Sequence, residues 1–389
     1  MNANFPTTLK SPKHIRIAIA GFFFISGFGF STWASRIPSL QQQFGLNEGQ
    51  LGAVLFALPM GLILTLPVTG FLVGRYSSRK IMLVGALLLN VILSLMGLAN
   101  QTWQLALILF TFGAARNMLG ISANAQSVGL QGLYDRSILA SFHAIWSLAG
   151  FAGAALGSWM ISANILPGYH FLIVSGVLSV LAILFFPNTL PESPTQQTTK
   201  AGFTLPDKSL LKFGLIAFAS MACEGTIYDW SGVYFQKAVQ VPKELTAVGF
   251  VSFMTAMTLG RLSGDWLVNR LGRKTILTYS GILMTAGLLL ASVWPALIPA
   301  SLGLIMVGLG VSCVIPLVMS LASQSVSERT GSVITSVSTV SYLGFLIVPP
   351  IVGFIAETLN LHWAFALMAL LGLLTVWLVT KISISVKNS

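Results

Sequence analysis

The chain has 389 residues, 55% of them hydrophobic and only 8% charged, with a formal net charge of +11. Its mean hydropathy of +0.84, and a charged fraction far below the roughly 25% of soluble domains, exclude a water-soluble globule, because such a surface would be one large apolar patch. The solvent these residues suit is lipid.

From the N-terminus, Lys10, Lys13 and Arg16 precede an apolar run over 17–33, long enough to span a bilayer and followed by equally apolar runs. It reads as an uncleaved first transmembrane helix rather than a signal peptide. Pro, Gly and charge clusters bound twelve apolar runs: 15–36, 48–73, 80–99, 103–128, 138–163, 169–187, 210–236, 245–268, 274–294, 298–321, 331–357 and 361–381. Most reach the ~20 residues needed to cross a ~30 Å hydrocarbon core. With the N-terminus inside, sixteen Lys and Arg fall on the inner side and three (Arg36, Lys237, Lys243) on the outer, while Arg116 and Arg261 lie within spans. This asymmetry predicts that both termini are cytoplasmic. It also accounts for the net charge without nucleic acid, since no basic cluster interleaves with exposed aromatics. The two cysteines, Cys223 and Cys313, sit in apolar runs without CxxC spacing and read as small buried hydrophobes.

The longest connection, 188–209, is rich in Pro, Thr and Gln and reads as a cytoplasmic linker. It divides the chain into a six-helix half over 1–187 and another over 210–389. The halves resemble one another. Trp33 and Trp230 are 197 residues apart, as are Gly52 and Gly249, and the run Ser147-Leu148-Ala149-Gly150-Phe151 matches Ser341-Tyr342-Leu343-Gly344-Phe345 at an offset of 194. Ordered matches at nearly constant offset predict an internal repeat. Six helices per unit make the repeats parallel about an axis along the membrane normal.

Each half carries a short basic turn after its second helix. The first contains Gly70, Leu72, Arg75, Arg79 and Lys80; the second contains Asp265, Leu267, Asn269, Arg270, Gly272, Arg273 and Lys274. These turns resemble the cytoplasmic loop signature Gly-x-Leu-x-Asp-Arg-x-Gly-Arg-Lys of the major facilitator superfamily, and the resemblance covers the whole chain. Gly74 and Asn269 stand where the signature has Asp, so Asp265, four residues from Arg261 on one face of its helix, is the candidate to take that role. The sequences Trp33-Ala34-Ser35-Arg36-Ile37-Pro38, Phe142-His143-Ala144-Ile145-Trp146-Ser147 and Glu224-Gly225 followed by Asp229-Trp230-Ser231 look like the MosC-like branch of the superfamily, whose namesake alone has been linked to inositol-derived compounds. The resemblance implies an all-α fold of twelve transmembrane helices working by alternating access. Helices one, four, seven and ten would line a central cavity.

An ionisable group at bilayer depth costs about 2.5–3.5 kcal/mol on insertion scales, so such groups mark function more often than packing. Glu224 and Asp229 stand in the seventh apolar run and Arg116 in the fourth, flanked by Asn117 and Asn124. Arg116 is expected to oppose Glu224 across the cavity. Glu224 and Asp229 lie about 140° apart on an ideal helix unless Gly225 or Gly232 breaks it. Asp229 is expected nearer the outside, paired with Arg36 as an outer gate. His143 reads as the histidine at depth, either packing residue or proton relay. Trp33, Trp146, Tyr228 and Trp230 are placed to stack on a sugar-like solute, with interfacial anchoring the alternative for Trp33 and Trp230. Pro349-Pro350 is expected to kink the eleventh helix.

These readings converge on a secondary transporter of a small polar, sugar- or polyol-like solute. Coupling to a proton gradient would act through Glu224 first and Asp229 second. An efflux antiporter, a passive facilitator and a non-transporting membrane sensor are the alternatives. No organic cofactor or metal site is expected, since no His/Cys/Asp cluster has ligand spacing. The expected partners are the solute and the lipid of the inner membrane, with no nucleic acid and a monomeric state.

Overall fold

The computed structural model describes residues 11–135, 138–191, 208–325 and 330–382, and among them finds helices and no strand. Eleven of these helices or helix pairs are long and apolar enough to cross a membrane. In the first half they are α1 (Pro12–Ala34), α6 (Ser78–Leu95), α7 (Thr102–Gln131), α8 (Leu139–Ser162) and α9 (Pro167–Phe185). In the second they are α10 (Lys208–Lys237), α11 (Val248–Leu271), α12 (Arg273–Val293), the pair α13 (Leu297–Val311) and α14 (Val314–Ser325), α15 (Thr330–Thr358) and α16 (Leu361–Thr380).

The twelfth span is broken. Residues 48–76 form α3 (Glu48–Leu55), α4 (Ala57–Leu64) and α5 (Leu66–Tyr76), yet backbone bonds carry across both breaks, from Met60 N to Phe56 O (3.2 Å) and from Thr69 N to Thr65 O (2.8 Å). The cause is Pro59 and Pro67, which have no N–H to donate to the carbonyls four residues before them. Pro316 breaks the tenth span at Ser312-Cys313 in the same way. By contrast, α15 stays helical through Pro349-Pro350. A short helix that sequence reading did not anticipate, α2 (Ile37–Phe44), joins α1 to α3.

Packing repeats between the halves. In the first, α1 lies on α8, and α6 on α7 and α9; in the second, α10 lies on α15, and α12 on α13 and α16. These are two parallel six-helix repeats. Most of the predicted linker, 192–207, lies outside the described residues, as do Arg136 and 326–329.

The halves meet through α3 against α15 and α8 against α11. On the face opposite residues 11 and 382 this seam is close. A Cβ on Gly52 would lie 2.6 Å from the Pro349 carbonyl oxygen, so only glycine permits the approach. Polar latches rim the seam: Lys237 Nζ to Glu48 Oε1 at 2.6 Å, Asn47 Nδ2 to Glu357 Oε1 at 2.8 Å, and Ser158 Oγ to the Glu244 carbonyl at 3.1 Å.

Candidate functional site

A cavity of about 320 Å³ lies between the halves, walled by α1, α3, α4, α7 and α8 of the first and α10, α11 and α15 of the second. It opens towards the face that bears the termini, where the lining residues Asn124 and His143 are exposed. Towards the opposite face it is roofed by aromatics. The Tyr228 ring packs 5.1 Å from Phe30 and 6.4 Å from Trp146 of the first half, and 5.7 Å from Phe253 and 6.1 Å from Phe345 of the second.

The charged residues of the cavity fall into two groups. Glu224 is internally matched: the Tyr228 hydroxyl donates to its Oε1 at 2.5 Å, and Arg261 Nη2 lies 4.0 Å from the same oxygen. Arg261 also donates to Ser147 Oγ at 2.5 Å, which ties α11 to α8 across the seam. Arg116 is held differently. Its guanidinium sits 4.2 Å over the Phe30 ring and 5.9 Å from the Trp146 ring, and among the described residues it has no hydrogen-bond acceptor or ion-pair partner. Asp229, which also lines the cavity, has none either. Four charges therefore share one cavity; two are matched by the protein and two are open to what enters it.

This geometry corrects several expectations. The ion pairs among the described residues are Lys237–Glu48 and Arg261–Glu224. Glu224 is therefore not paired with Arg116, and Arg261 leaves Asp265 exposed and turns into the cavity instead. Arg36 does not gate with Asp229. It is buried within the first half, donating from Nε to His170 Nδ1 at 3.0 Å and from Nη2 to the Ile165 carbonyl at 2.8 Å. His170 is thus a buried acceptor. His143 lies only in the second turn of α8, open to the cavity mouth and edge-on to Phe23. Trp33 and Trp230 are 1% and 0% exposed and line no part of the cavity, so they neither stack on solute nor anchor at an interface. They are core packing beyond the roof. Gly225 and Gly232 leave α10 unbroken, so Glu224 and Asp229 keep their helical separation.

Of the remaining expected residues, Arg116, Asn117, Asn124, His143, Trp146, Glu224, Tyr228 and Asp229 all line the cavity. Asn117 spends its amide on Thr65 Oγ1 (3.2 Å) and Thr69 Oγ1 (3.0 Å), holding the broken second span to α7. Asn124 donates to the Gly120 carbonyl at 2.9 Å. The basic turns lie away from the cavity and tie helix ends. Arg79 donates to Thr189 Oγ1 (3.1 Å) and stacks 4.7 Å over Phe186; Arg273 donates to Gln324 Oε1 (2.8 Å); Lys274 donates to the Ile382 carbonyl (3.3 Å). Arg75 and Arg270 lie over the rings of Tyr76 and Trp266. Asn269 is exposed, and nothing lies within 4 Å of where a Gly70 side chain would begin. Both turns share one backbone device: Gly272 has φ +82° and its counterpart Ser77 has φ +76°.

Sequence reasoning missed Phe30, Arg261, Tyr342 and Phe345 as cavity residues. Arg261 had a signal, an arginine inside a span. The aromatics had none, being indistinguishable from packing residues until the helices are placed.

The Major Facilitator Superfamily model matches residues 19–345 and 240–383. An uncharacterised MFS-type transporter of Yersinia pestis is 30% identical over 91% of this chain and 92% of its own length. The membrane protein MosC of Rhizobium meliloti is 29% identical over 92% of this chain and 87% of its own. Among solved structures, the nucleoside transporter NupG superposes with a TM-score of 0.76 at 14% identity, covering 94% of this chain and 99% of that one.

Proposed function

This chain belongs to the Major Facilitator Superfamily, and from that premise we propose that it is a proton-coupled secondary transporter of a small polar solute, working by alternating access. The observation that carries the reading is the central cavity with its matched pair, Glu224–Arg261, and its two unmatched charges, Arg116 and Asp229. Charges that the fold leaves open at bilayer depth are costly, and they are retained where a solute or a proton completes them. A closely packed seam on one face and an opening on the other describe a carrier closed on one side. The distribution of Lys and Arg supports a cytoplasmic position for the open face, both termini and the linker, in the inner membrane. The halves are proposed to divide at the 188–209 linker and to rock about the cavity, with the chain acting as a monomer.

Within this reading the order of the two carboxylates is reversed. Glu224 is held by the Tyr228 hydroxyl and by Arg261, whereas Asp229 has no hydrogen-bond donor or ion-pair partner among the described residues. Asp229 is therefore proposed as the first proton carrier and Glu224 as the second. The sugar- or polyol-like solute keeps one support, the presence of Trp146 and Tyr228 in the cavity wall.

Uptake by the purified protein in proteoliposomes, driven by an imposed pH gradient and screened over polyols, sugars, organic acids and cationic drugs, tests the proposal. Accumulation that collapses with the gradient is expected. Flux that only equilibrates and ignores pH would mark a passive facilitator. Accumulation that persists when Glu224→Gln and Asp229→Asn are combined would remove both carboxylates from the coupling.

A further inference from the structure

The cavity holds one cation and one acid, Arg116 and Asp229, without a hydrogen-bond or ion-pair partner among the described residues. Arg116 is always charged and has five N–H donors in the plane of its guanidinium. It lies over the rings of Phe30 and Trp146, and among the described residues no acceptor meets its donors. A planar carboxylate fills two such donors at once, as no hydroxyl can. Asp229 shares the cavity with Arg116 but is not within ion-pair distance of it, and no donor reaches it among the described residues. Its oxygens are therefore open to a proton that enters from the cavity. The titratable and charged groups facing the same space are Arg116 on α7, His143 on α8, Glu224 and Tyr228 on α10, Arg261 on α11 and Tyr342 on α15.

The wall amide nitrogens of Asn117 and Asn124 are committed to Thr65, Thr69 and Gly120, and Glu224 is held by Tyr228 and Arg261. Ser26, His143 and Tyr342 also line the cavity, but each offers a single polar group, whereas the Arg116 fork meets a carboxylate at two points. The apolar walls, with Leu55, Leu58, Ile63 and Phe345 among them, suit a hydrocarbon or aromatic body on that carboxylate.

We propose that the solute is a small organic monocarboxylate with an apolar body, carried together with one proton, Arg116 receiving the carboxylate and Asp229 the proton. This rests on the transporter reading above and deepens it. The unit that crosses is then neutral: one anion on Arg116, one proton on Asp229, with the Glu224–Arg261 pair unchanged. A cavity of about 320 Å³, at the small end of the roughly 300–1,000 Å³ range of ligand pockets, suits a solute of about one ring.

The test is calorimetric titration of the full-length purified protein with benzoate, phenylacetate and hexanoate, each against its own amide, and with myo-inositol, phenylalanine and benzylamine. Two buffers of different ionisation enthalpy count protons taken up. At least one carboxylate is expected to bind with uptake of one proton, and its amide to bind about 100-fold more weakly. Arg116→Gln should erase the preference for the carboxylate over its amide, and Arg116→Lys should restore part of it. Asp229→Asn should still bind the carboxylate but take up no proton. The proposal is overturned if none of the three carboxylates binds, if an amide matches its acid, or if myo-inositol, phenylalanine or benzylamine binds tightest. Proton uptake that survives Asp229→Asn also overturns it. Carboxylate binding with its proton, but without pH-driven accumulation in proteoliposomes, would instead defeat the coupled-transport reading and leave this one standing.

Discussion

In the first half, α1 crosses α8 at Gly27, where a Cβ would lie 2.3 Å from the Trp146 carbonyl oxygen. In the second, 197 residues later, the matching position of α10 is Glu224, whose carboxylate reaches Tyr228 and Arg261 at the cavity wall. The second half makes its own close crossing at Gly344, where a Cβ would lie 2.6 Å from the Phe218 carbonyl oxygen. Both halves therefore keep a tight helix crossing, but at different places, and the position freed in the second half carries chemistry. The cavity inherits that asymmetry. The first half offers Arg116 on a bed of aromatic faces, and the second offers both carboxylates and Arg261. A duplicated scaffold supplies symmetry for rocking; its divergence at a few wall positions supplies the charge that a solute reads.

The comparison breaks hardest at its pivot. Gly27→Glu, which copies the second half into the first, should abolish folding, since backbone of α8 occupies the space; loss of the monodisperse peak in size-exclusion chromatography is the readout. Glu224→Gly, the reciprocal change, should leave a folded protein that melts at a lower temperature, since Arg261 loses its carboxylate partner, and that still couples flux to pH through Asp229.

Next in size is the matched pair. Arg261→Ala should leave Glu224 with Tyr228 alone and lower stability by about 2 kcal/mol, less than a fully enclosed pair would lose because the cavity admits water. A double-mutant cycle with Glu224→Gln, read by thermal unfolding, should recover a coupling of about 1 kcal/mol. Additive losses would mean that the 4.0 Å contact carries no energy.

Tyr228→Phe keeps the aromatic roof and removes one hydroxyl. It should cost about 1–2 kcal/mol, read by thermal unfolding, and leave the pH dependence of transport unchanged, because Asp229 carries the proton. A shifted pH profile would return the coupling to Glu224.

The two basic turns sharpen the comparison at smaller scale. Ser77 and Gly272 share a left-handed backbone, which a serine adopts at a cost and a glycine does not. Ser77→Gly should stabilise by about 0.5–1 kcal/mol and Gly272→Ser should destabilise by a similar amount, both visible as opposite shifts in melting temperature. Smallest of all, Lys237→Gln at the exposed latch with Glu48 should alter stability by about 0.5 kcal/mol or less. Its larger effect should be on how often the seam opens, read as solute access from the side opposite the termini.

Which parts were legible from the residues alone follows from range. The twelve spans, the repeat and the basic turns were legible because each depends on local composition: ~20 apolar residues mark a crossing wherever they occur, and a repeat preserves offsets. Prolines located the breaks in the second and tenth spans once the helices were in view. The cavity-facing stripe of α7 around Arg116 could also be read, because helical spacing sets which residues share a face. Pairing could not. Arg116 opposite Glu224, Arg36 opposite Asp229 and Arg261 beside Asp265 were each reasonable by depth or spacing, and each lost to a partner on another helix. Arg36 found His170, 134 residues away, and Arg261 found Ser147, 114 away. Burial of Trp33 and Trp230 was decided the same way, by the seam that closes over them. Hydropathy is a property of a segment, so the chain alone determines that it crosses the membrane and how many times. Which charges are satisfied and which stay open to a solute depends on helices that meet only after folding, and that was left to the tertiary structure.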